Sequence, residues 1–562
     1  MILKALYDYY QRCKNRLPAL GLELKEIGFI IVIDENGNFI RFEDQRIDKQ
    51  HAQLFLVKKA VGRSSTPIAN YLYDNAEYVL GIPEIGNKFF KFKEKIQEVY
   101  QNNPDFKDLK ALFQFYQLYT EEKLKQMKKD PLWEDIEGNL NKKYSNFSFR
   151  IEGDKQIIAE KDELLGLLDK DNKEEDKVCL ITGEKDHIVD TTSATMIQGS
   201  QATAKLVAFQ KKSGYDSYGK EQGKNAPIGE KAEFAYTTAL KYMLQSDSRN
   251  KFTVGNRTFL FWASNDDDAG KKAEEGVFNL FGIRNDNEDD PNRRIEQVRN
   301  IFEAIYSGTI KTTLEDKFFI LGLAPNSARI AVTFWSQLPL KEFAGFIFRH
   351  FNDMEICGAT KPYYGLRSII SAVTLGGKHT DVTPNLPEAI TKSIFQGTPY
   401  PYTLYASCIR RIRAEQEIYT TRAAIIKAYL NRFNDNNEIK LKTMLDKENK
   451  NQGYLCGRLF AVLDKIQEEA NNQNSIRERY LNAASATPAM VFATIMNLSS
   501  HHADKLNDGR KIFFEKLKQE IIEKISPEGF PSHLDLQDQG RFFVGFYHQR
   551  QQFFTKNDNN ND

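Results

Sequence analysis

Hydrophobic and polar positions change rhythm along this chain. Ile27 to Ile33 is a β-branched and aromatic run, followed by Asp34-Glu35-Asn36-Gly37 and then Phe39-Ile40-Arg41-Phe42. Asn-Gly between two apolar runs predicts a hairpin, because glycine accepts the positive φ that such turns need. A short helix precedes it at the start of the chain. Phe90 to Lys129 follows a helical pattern, and Val178 to Phe209 reads as β-rich. Strands are also predicted at Thr258–Trp262, Phe318–Leu323 and Ala328–Trp335, the last two separated by a turn at Ala324-Pro325-Asn326. Asn265 to Arg294 is dominated by Asp, Asn, Glu and Lys and reads as a loop. From about Leu386 strand signals vanish. Leu455, Leu459, Val462, Leu463 and Ile466 form the stripe of an amphipathic helix; Phe513, Leu517, Ile521 and Ile525 form another, and Phe542, Phe543, Phe546 and Phe553 a third.

The pattern predicts an α+β protein: a large mixed α/β region over 1–385, followed by an all-α C-terminal helical bundle over 386–555. The Asn- and Asp-rich tail at 556–562 reads as disordered. A length of 562 residues exceeds what one hydrophobic core organises.

Charge alters this picture little, since 78 basic and 77 acidic residues leave a net charge of +1. Five scattered cysteines, with no C-x-x-C pair, fit neither a disulfide framework nor a zinc site and suit a reducing cytosol. No run of 18 apolar residues predicts a membrane span, and the N-terminus lacks a signal-peptide pattern; the expected location is cytoplasmic. Catalytic motifs are missing. The nearest approach to a phosphate-binding loop, Ala372 to His379, has Ala and His where the first glycine and the metal-binding hydroxyl belong. No cofactor or metal ion is expected.

The cations suggest more. Lys58, Lys59 and Arg63 stand beside Ser64 and Ser65 at a turn, a combination suited to phosphates. Asn70 and Asn75 follow with amides that could read base edges, and Tyr71 and Tyr73 with rings that could stack. Lys88, Lys91, Lys93 and Lys95 add to this set. Further on, Arg410, Arg411, Arg413, Arg422, Lys427 and Arg432 make a basic helical region.

Specific blocks carry a resemblance. Ser217-Tyr218-Gly219-Lys220-Glu221-Gln222-Gly223-Lys224-Asn225-Ala226-Pro227 with Ala235-Tyr236-Thr237-Thr238-Ala239-Leu240, Leu321 to Arg329, Gly397-Thr398-Pro399-Tyr400-Pro401, Ala483 to Pro488 and Gly540 to Gln551 resemble the large subunit of the type I-C (Dvulg subtype) CRISPR Cascade complex. Arg63-Ser64-Ser65 and Asp74 to Gly81 fit as well, so the resemblance runs from Met1 to about Phe554. Departures occur at Ala208-Phe209-Gln210, where Ser-Phe-Asn is common, and at Thr191 to Ala194, where a His-Pro is missing.

The resemblance implies a non-catalytic subunit of an RNA-guided surveillance complex. Guide pairing reads the target, while this subunit reads a short protospacer-adjacent motif (PAM) in double-stranded DNA, promotes opening and stabilises the R-loop; a comparable division of labour operates in another effector class. Its implied partners are the backbone subunits carrying CRISPR RNA, the target duplex and a helicase–nuclease. PAM contacts are expected from Lys59, Arg63, Ser64 and Ser65 on phosphates and from Asn70 and Asn75 on bases, with Asp74 orienting its neighbours. Strand-backbone contacts are expected from Arg410, Arg411, Arg413, Arg422 and Lys427. The segment 444–562 resembles a small subunit made separately from the same gene, with Met444 as the candidate start. The alternatives are a metal-dependent nuclease with a dispersed acidic site and a helical interaction protein unrelated to nucleic acid.

Overall fold

The computed structural model describes residues 2–61, 66–166, 177–209, 216, 218–245, 247–254, 256–281, 291–359, 364–378, 381–433, 440–471 and 475–554. The chain forms two compact units. Leu3–Ser193 and Phe209–Tyr242 make the first; Ala194–Ala208 and Met243 onward make the second.

The first unit is built on strands β1 (Leu22–Glu26), β2 (Phe29–Ile33), β3 (Phe39–Asp44), β4 (Leu54–Lys58), β5 (Tyr73–Asn75) and β6 (Asn146–Ile151). Its four-stranded sheet has the order β3-β2-β6-β5, with β2 and β6 parallel and the other pairs antiparallel. Every residue of β2 is buried, which is why it reads as an unbroken apolar run. The predicted β2–β3 hairpin is present. Asp34 Oδ1 accepts the N–H groups of Asn36 and Asn38, and Gly37 has a φ of +78°. A Cβ at Gly37 would also lie 2.4 Å from the backbone nitrogen of Phe115, so the turn and the helix Lys107–Gln117 fit only with glycine there. Phe90 to Lys129 resolves into three helices, Asn87–Asn102, Lys107–Gln117 and Glu121–Met127. β1 and β4 pair as a separate antiparallel ribbon, which carries the loop that begins at Lys59.

The expected β-rich stretch from Val178 to Phe209 is largely irregular. Its only ladder is β7 (Lys177–Val178) with β8 (Lys185–Asp186). The knuckle between them is tied by Cys179, whose N–H donates to the Glu184 carbonyl and whose sulfur accepts the Ile181 N–H at 3.4 Å. Cys179 closes this turn locally, while the Leu180 and Val189 N–H groups donate to the distant Pro227 and Ile228 carbonyls, with isolated bridges in place of a continued ladder.

In the second unit β9 (Lys251–Val254), β10 (Arg257–Ala263), β11 (Lys317–Asn326) and β12 (Arg329–Pro339) form an antiparallel sheet in the order β12-β11-β10-β9. The turn falls at Ser327-Ala328, with Ser327 at a φ of +53°, because β11 continues through the predicted turn residues. The predicted loop at 265–294 instead contains the helix Asp268–Phe281 and the start of Pro291–Ser307; 282–290 lie outside the described residues. Ala269, Ala273 and Val277 supply that helix with a buried stripe beneath its polar composition.

Helices then occupy the rest of the chain, as the α+β reading requires. A boundary near 385 does not appear in the packing. One continuous core runs from Phe252 on β9 to Tyr547, and Phe395 touches the rings of Phe252, Phe281 and Phe343. Gln452–Asn471 is not a one-sided amphipathic helix but the axis of the bundle, with buried residues around its circumference. It lies against Leu536–Gln552 at backbone contact. A Cβ at Gly457 would sit 1.9 Å from the Phe542 carbonyl oxygen, and one at Gly453 2.4 Å from that of Asp538. The expected tail at 556–562 lies outside the described residues.

Candidate nucleic-acid interface

The loop from Lys59 to Leu72 leaves the β1–β4 ribbon and returns at β5. Arg63, Ser64 and Ser65 lie outside the described residues. Both ends of the loop converge on Glu23 of β1, whose Oε1 accepts from the Ala60 N–H and the Tyr73 hydroxyl, each at 3.1 Å. Asn70 is 6% exposed; its Oδ1 accepts the Val61 N–H at 3.0 Å, and its own N–H donates to Asp74 Oδ2 at 2.9 Å. Asp74 also accepts the Asn75 N–H, so it does orient its neighbours. Asn75 caps the helix Ala76–Val79 by accepting from Glu77 and Tyr78 N–H groups.

These bonds correct the expectation for the asparagines and tyrosines. Asn70 is a buried loop staple, and the Asn75 side-chain oxygen is committed to a helix terminus. Tyr73 is fully buried, and Tyr71 lies beneath the Lys58 ammonium, 3.9 Å from its ring centroid.

The cations form a group larger than the sequence suggested. Lys59 Nζ is 3.5 Å from Oε2 of the buried Glu233, and Lys241 Nζ is 3.9 Å from Glu23 Oε2. Desolvation lowers the Lys241 ammonium from its ordinary value; the Lys59 and Lys25 charges push it the same way, while Glu23 and Glu233 oppose. Lys25, Lys59 and Lys241 thus crowd around two carboxylates, with Lys58 beside them at the end of β4. Lys241 could not have been paired with Lys59 from sequence, since about 180 residues separate them and no local pattern links them. Lys25 sits in an alternating strand with acidic neighbours and carries no signal of its own. In contrast, Lys88, Lys91 and Lys95 are paired with Glu77, Glu94 and Glu98 on the surface of their own region.

The second expected cationic region divides sharply. Arg422 is 2% exposed, donates from Nε to the Ala372 carbonyl at 3.0 Å and from Nη1 to that of Glu417 at 3.1 Å, and pairs with Glu415. Lys427 is also 2% exposed, and burial lowers its pKa against the opposing charges of Asp353 and Glu355. Arg432 is buried against Asp353 and the Thr398 carbonyl. None of the three offers its charge to solvent, which corrects the assignment of Arg422 and Lys427 to strand contacts. Long aliphatic stems on a helix with carboxylates on facing elements can be buried, and a count of basic residues is blind to that. Arg411 is held by Glu415, and Arg413 by Gln539. Arg410 remains exposed and donates to Ser407 Oγ at 3.1 Å.

Among the described residues no three His, Cys, Asp or Glu side chains are placed to hold a metal ion, and no helix is long and apolar enough to cross a membrane.

An α+β chain with surface cations in both units, and with every strand among its described residues ending by Pro339, is therefore in hand. Its sequence matches the family model for CRISPR-associated protein (Cas_Csd1) over residues 6–554. The chain belongs to that family, which places it as a CRISPR-associated large subunit of Cascade type. Comparison with curated proteins gives no match.

Proposed function

We propose that the protein is the large subunit of a type I-C Cascade complex, that it reads the PAM in duplex DNA, and that it promotes opening of the target and stabilises the R-loop without itself catalysing a reaction. The observation that carries this reading is the family match across nearly the whole chain. The lysine group supports a place for duplex contact. Lys59 and the loop residues Arg63, Ser64 and Ser65 meet phosphates, joined by Lys25, Lys58 and Lys241. Asn70 and Asn75 act one step back, by holding the loop that presents them. In this reading the partners are the subunits carrying CRISPR RNA, the helicase–nuclease, and a small subunit translated from Met444, which is 62% exposed in the segment before the bundle axis. The nuclease alternative has no arrangement of acidic residues in its favour among the described residues.

The test uses the assembled complex and a library of target duplexes randomised beside the guide-matched sequence. Wild-type complex should select a short motif. Lys59→Gln should weaken all duplexes alike and lower the slope of log affinity against log salt by about 0.9. Asn75→Ser keeps a capping oxygen while removing the amide, so motif selection should survive. Selection of no motif by the wild type would refute PAM reading. Loss of selection in Asn75→Ser would return Asn75 to the bases.

A further inference from the structure

The two four-stranded sheets treat their free edges differently. In the first unit the edge strand β3 carries Arg41, Glu43 and Asp44, and the Asp130 carboxylate accepts its Phe42 N–H at 3.1 Å. Charges and side-chain caps of this kind keep an edge from pairing with another chain. In the second unit the edge strand β12 is longer, and from Ile330 to Leu338 it holds no charged residue.

The ladder fixes which main-chain groups β12 turns outward. The Ser264 N–H donates to the Lys317 carbonyl at 2.8 Å, so Lys317, Phe319 and Leu321 bond β10, while Phe318, Ile320 and Gly322 bond β12. Opposite these, Phe334, Ser336 and Leu338 are bonded inward, and the N–H and C=O groups of Trp335 and Gln337 point away from the sheet. Those outward groups have no hydrogen-bond partner among the described residues. The other end of the same edge is already paired. The Lys205 N–H donates to the Ala328 carbonyl at 3.3 Å and the Ile330 N–H to the Lys205 carbonyl at 3.0 Å, a parallel bridge at Arg329. The extra residue Thr333 then shifts the register, and beyond it the edge is open. Trp262, Phe319 and Trp335 form a ring cluster on one face of the sheet, with centroids 5.3, 5.8 and 5.9 Å apart. Trp335 is its outermost member and is half-buried.

We propose that the edge of β12 from Phe334 to Leu338 docks an extended segment of a partner subunit, which adds a strand to the sheet. The main chain of that segment exchanges hydrogen bonds with Trp335 and Gln337, and a β-branched or aromatic residue packs on Trp335. The segment is uncharged where it meets the edge, since β12 offers no ion-pair partner there and a charge would lose water without compensation. The occupant is a subunit of the same assembly, because the family is one of Cascade large subunits. The inference rests on membership of that assembly and is independent of PAM reading.

The experiment compares amide hydrogen exchange over 329–339, resolved to single amides, in the full chain alone and in the complex assembled with the subunits carrying CRISPR RNA. Assembly should slow the Trp335 and Gln337 amides at least about tenfold and leave the bonded amides of Phe334, Ser336 and Leu338 unchanged. Gln337→Pro removes one outward N–H at a position where an edge strand accepts proline. It should weaken assembly roughly tenfold with an unchanged thermal midpoint. Gln337→Thr keeps the N–H and should assemble like wild type. Unprotected Trp335 and Gln337 amides in the complex overturn the proposal, whether or not the proline variant folds. So does a folded proline variant that assembles normally. Protection that grows with the concentration of the chain alone, alongside a dimer in sedimentation velocity, makes a second copy the occupant and equally refutes it. A wild-type chain that binds none of those subunits overturns it together with the Cascade role, whereas an assembled complex that selects no motif overturns PAM reading alone.

Discussion

Replacing Arg422 by methionine separates a structural cation from a functional one. Methionine approximates the length of the arginine stem but donates no hydrogen bond. The change strips donors from the carbonyls of Ala372 and Glu417, leaves Glu415 with Arg411 alone, and removes the guanidinium stacked 4.4 Å from the Tyr419 ring centroid. Each orphaned buried acceptor costs about 1–3 kcal/mol. With Glu415 partly solvated, the total comes to about 3 kcal/mol, at the low end for a broken buried pair. The second unit has roughly 330 residues and an unfolding entropy of about 0.7 kcal/mol/K, so its calorimetric midpoint should fall by about 4–5 °C. Binding of the folded variant to nucleic acid, and its salt slope, should match wild type. Arg410→Gln should give the reverse, an unchanged midpoint with a shallower salt dependence. An unchanged midpoint in Arg422→Met, accompanied by a loss of salt slope, would show that Arg422 faces solvent in the working protein.

Two further outcomes follow from buried and exposed groups elsewhere. His350 and His548 are both pushed down to about 3 by burial, with Arg432 and Lys427 respectively adding to the effect. Between pH 6.5 and about 3 the unfolded chain binds a proton at each while the folded chain does not, so stability falls with falling pH by about 1.4 kcal/mol per pH unit per histidine. Denaturant titrations of a His350→Asn, His548→Gln variant should show a shallower acid limb, and an identical limb would refute the assignment. Met444→Leu should abolish a short co-purifying product that begins there, on gels of the assembled complex; its persistence would rule out this start.

Local signals located most of the elements. The Asn-Gly hairpin, the strands at 258–262, 318–323 and 328–335, and the helices after 386 each carry their periodicity within a few residues. What failed was composition used in place of periodicity. Asp and Asn around 265–294 concealed a helix whose buried face is Ala269, Ala273 and Val277, small enough to read as non-core. The apolar residues after Val178 pointed to strands where the backbone bonds partly within the Cys179 turn and partly to the distant Pro227 and Ile228 carbonyls, without a continued ladder. The candidate site was less legible because accessibility depends on tertiary partners. Arg410 and Arg422 have the same side chain and lie twelve positions apart, yet only one reaches solvent, and the reason is the placement of Glu415 and the Ala372 carbonyl. Likewise Lys59 carries a local signal, whereas Lys25 and Lys241 join it only through the fold.

The same partner accounting bears on the proposed second product of the gene. From Met444 onward the segment holds its tightest contact within itself, since Gly453 and Gly457 meet the backbone of Asp538 and Phe542. Several of its buried polar groups are also paired internally: Tyr454 with His548, Arg458 with Gln549 and Glu520, and Asp464 with Arg550. Outside it lie the groups that cover one strip of Leu536–Gln552. The Tyr547 hydroxyl bonds the Cys357 carbonyl at 2.8 Å and Thr420 Oγ1 at 3.1 Å, Arg413 reaches Gln539, and the Tyr405 hydroxyl donates to the Leu536 carbonyl. A chain starting at Met444 would keep its own core but expose that strip, including the apolar body of Tyr547 and a Gln539 side chain deprived of Arg413. Bare apolar surface bordered by unsatisfied polar groups favours association. Such a product is therefore suited to work while docked along a partner rather than as a free monomer.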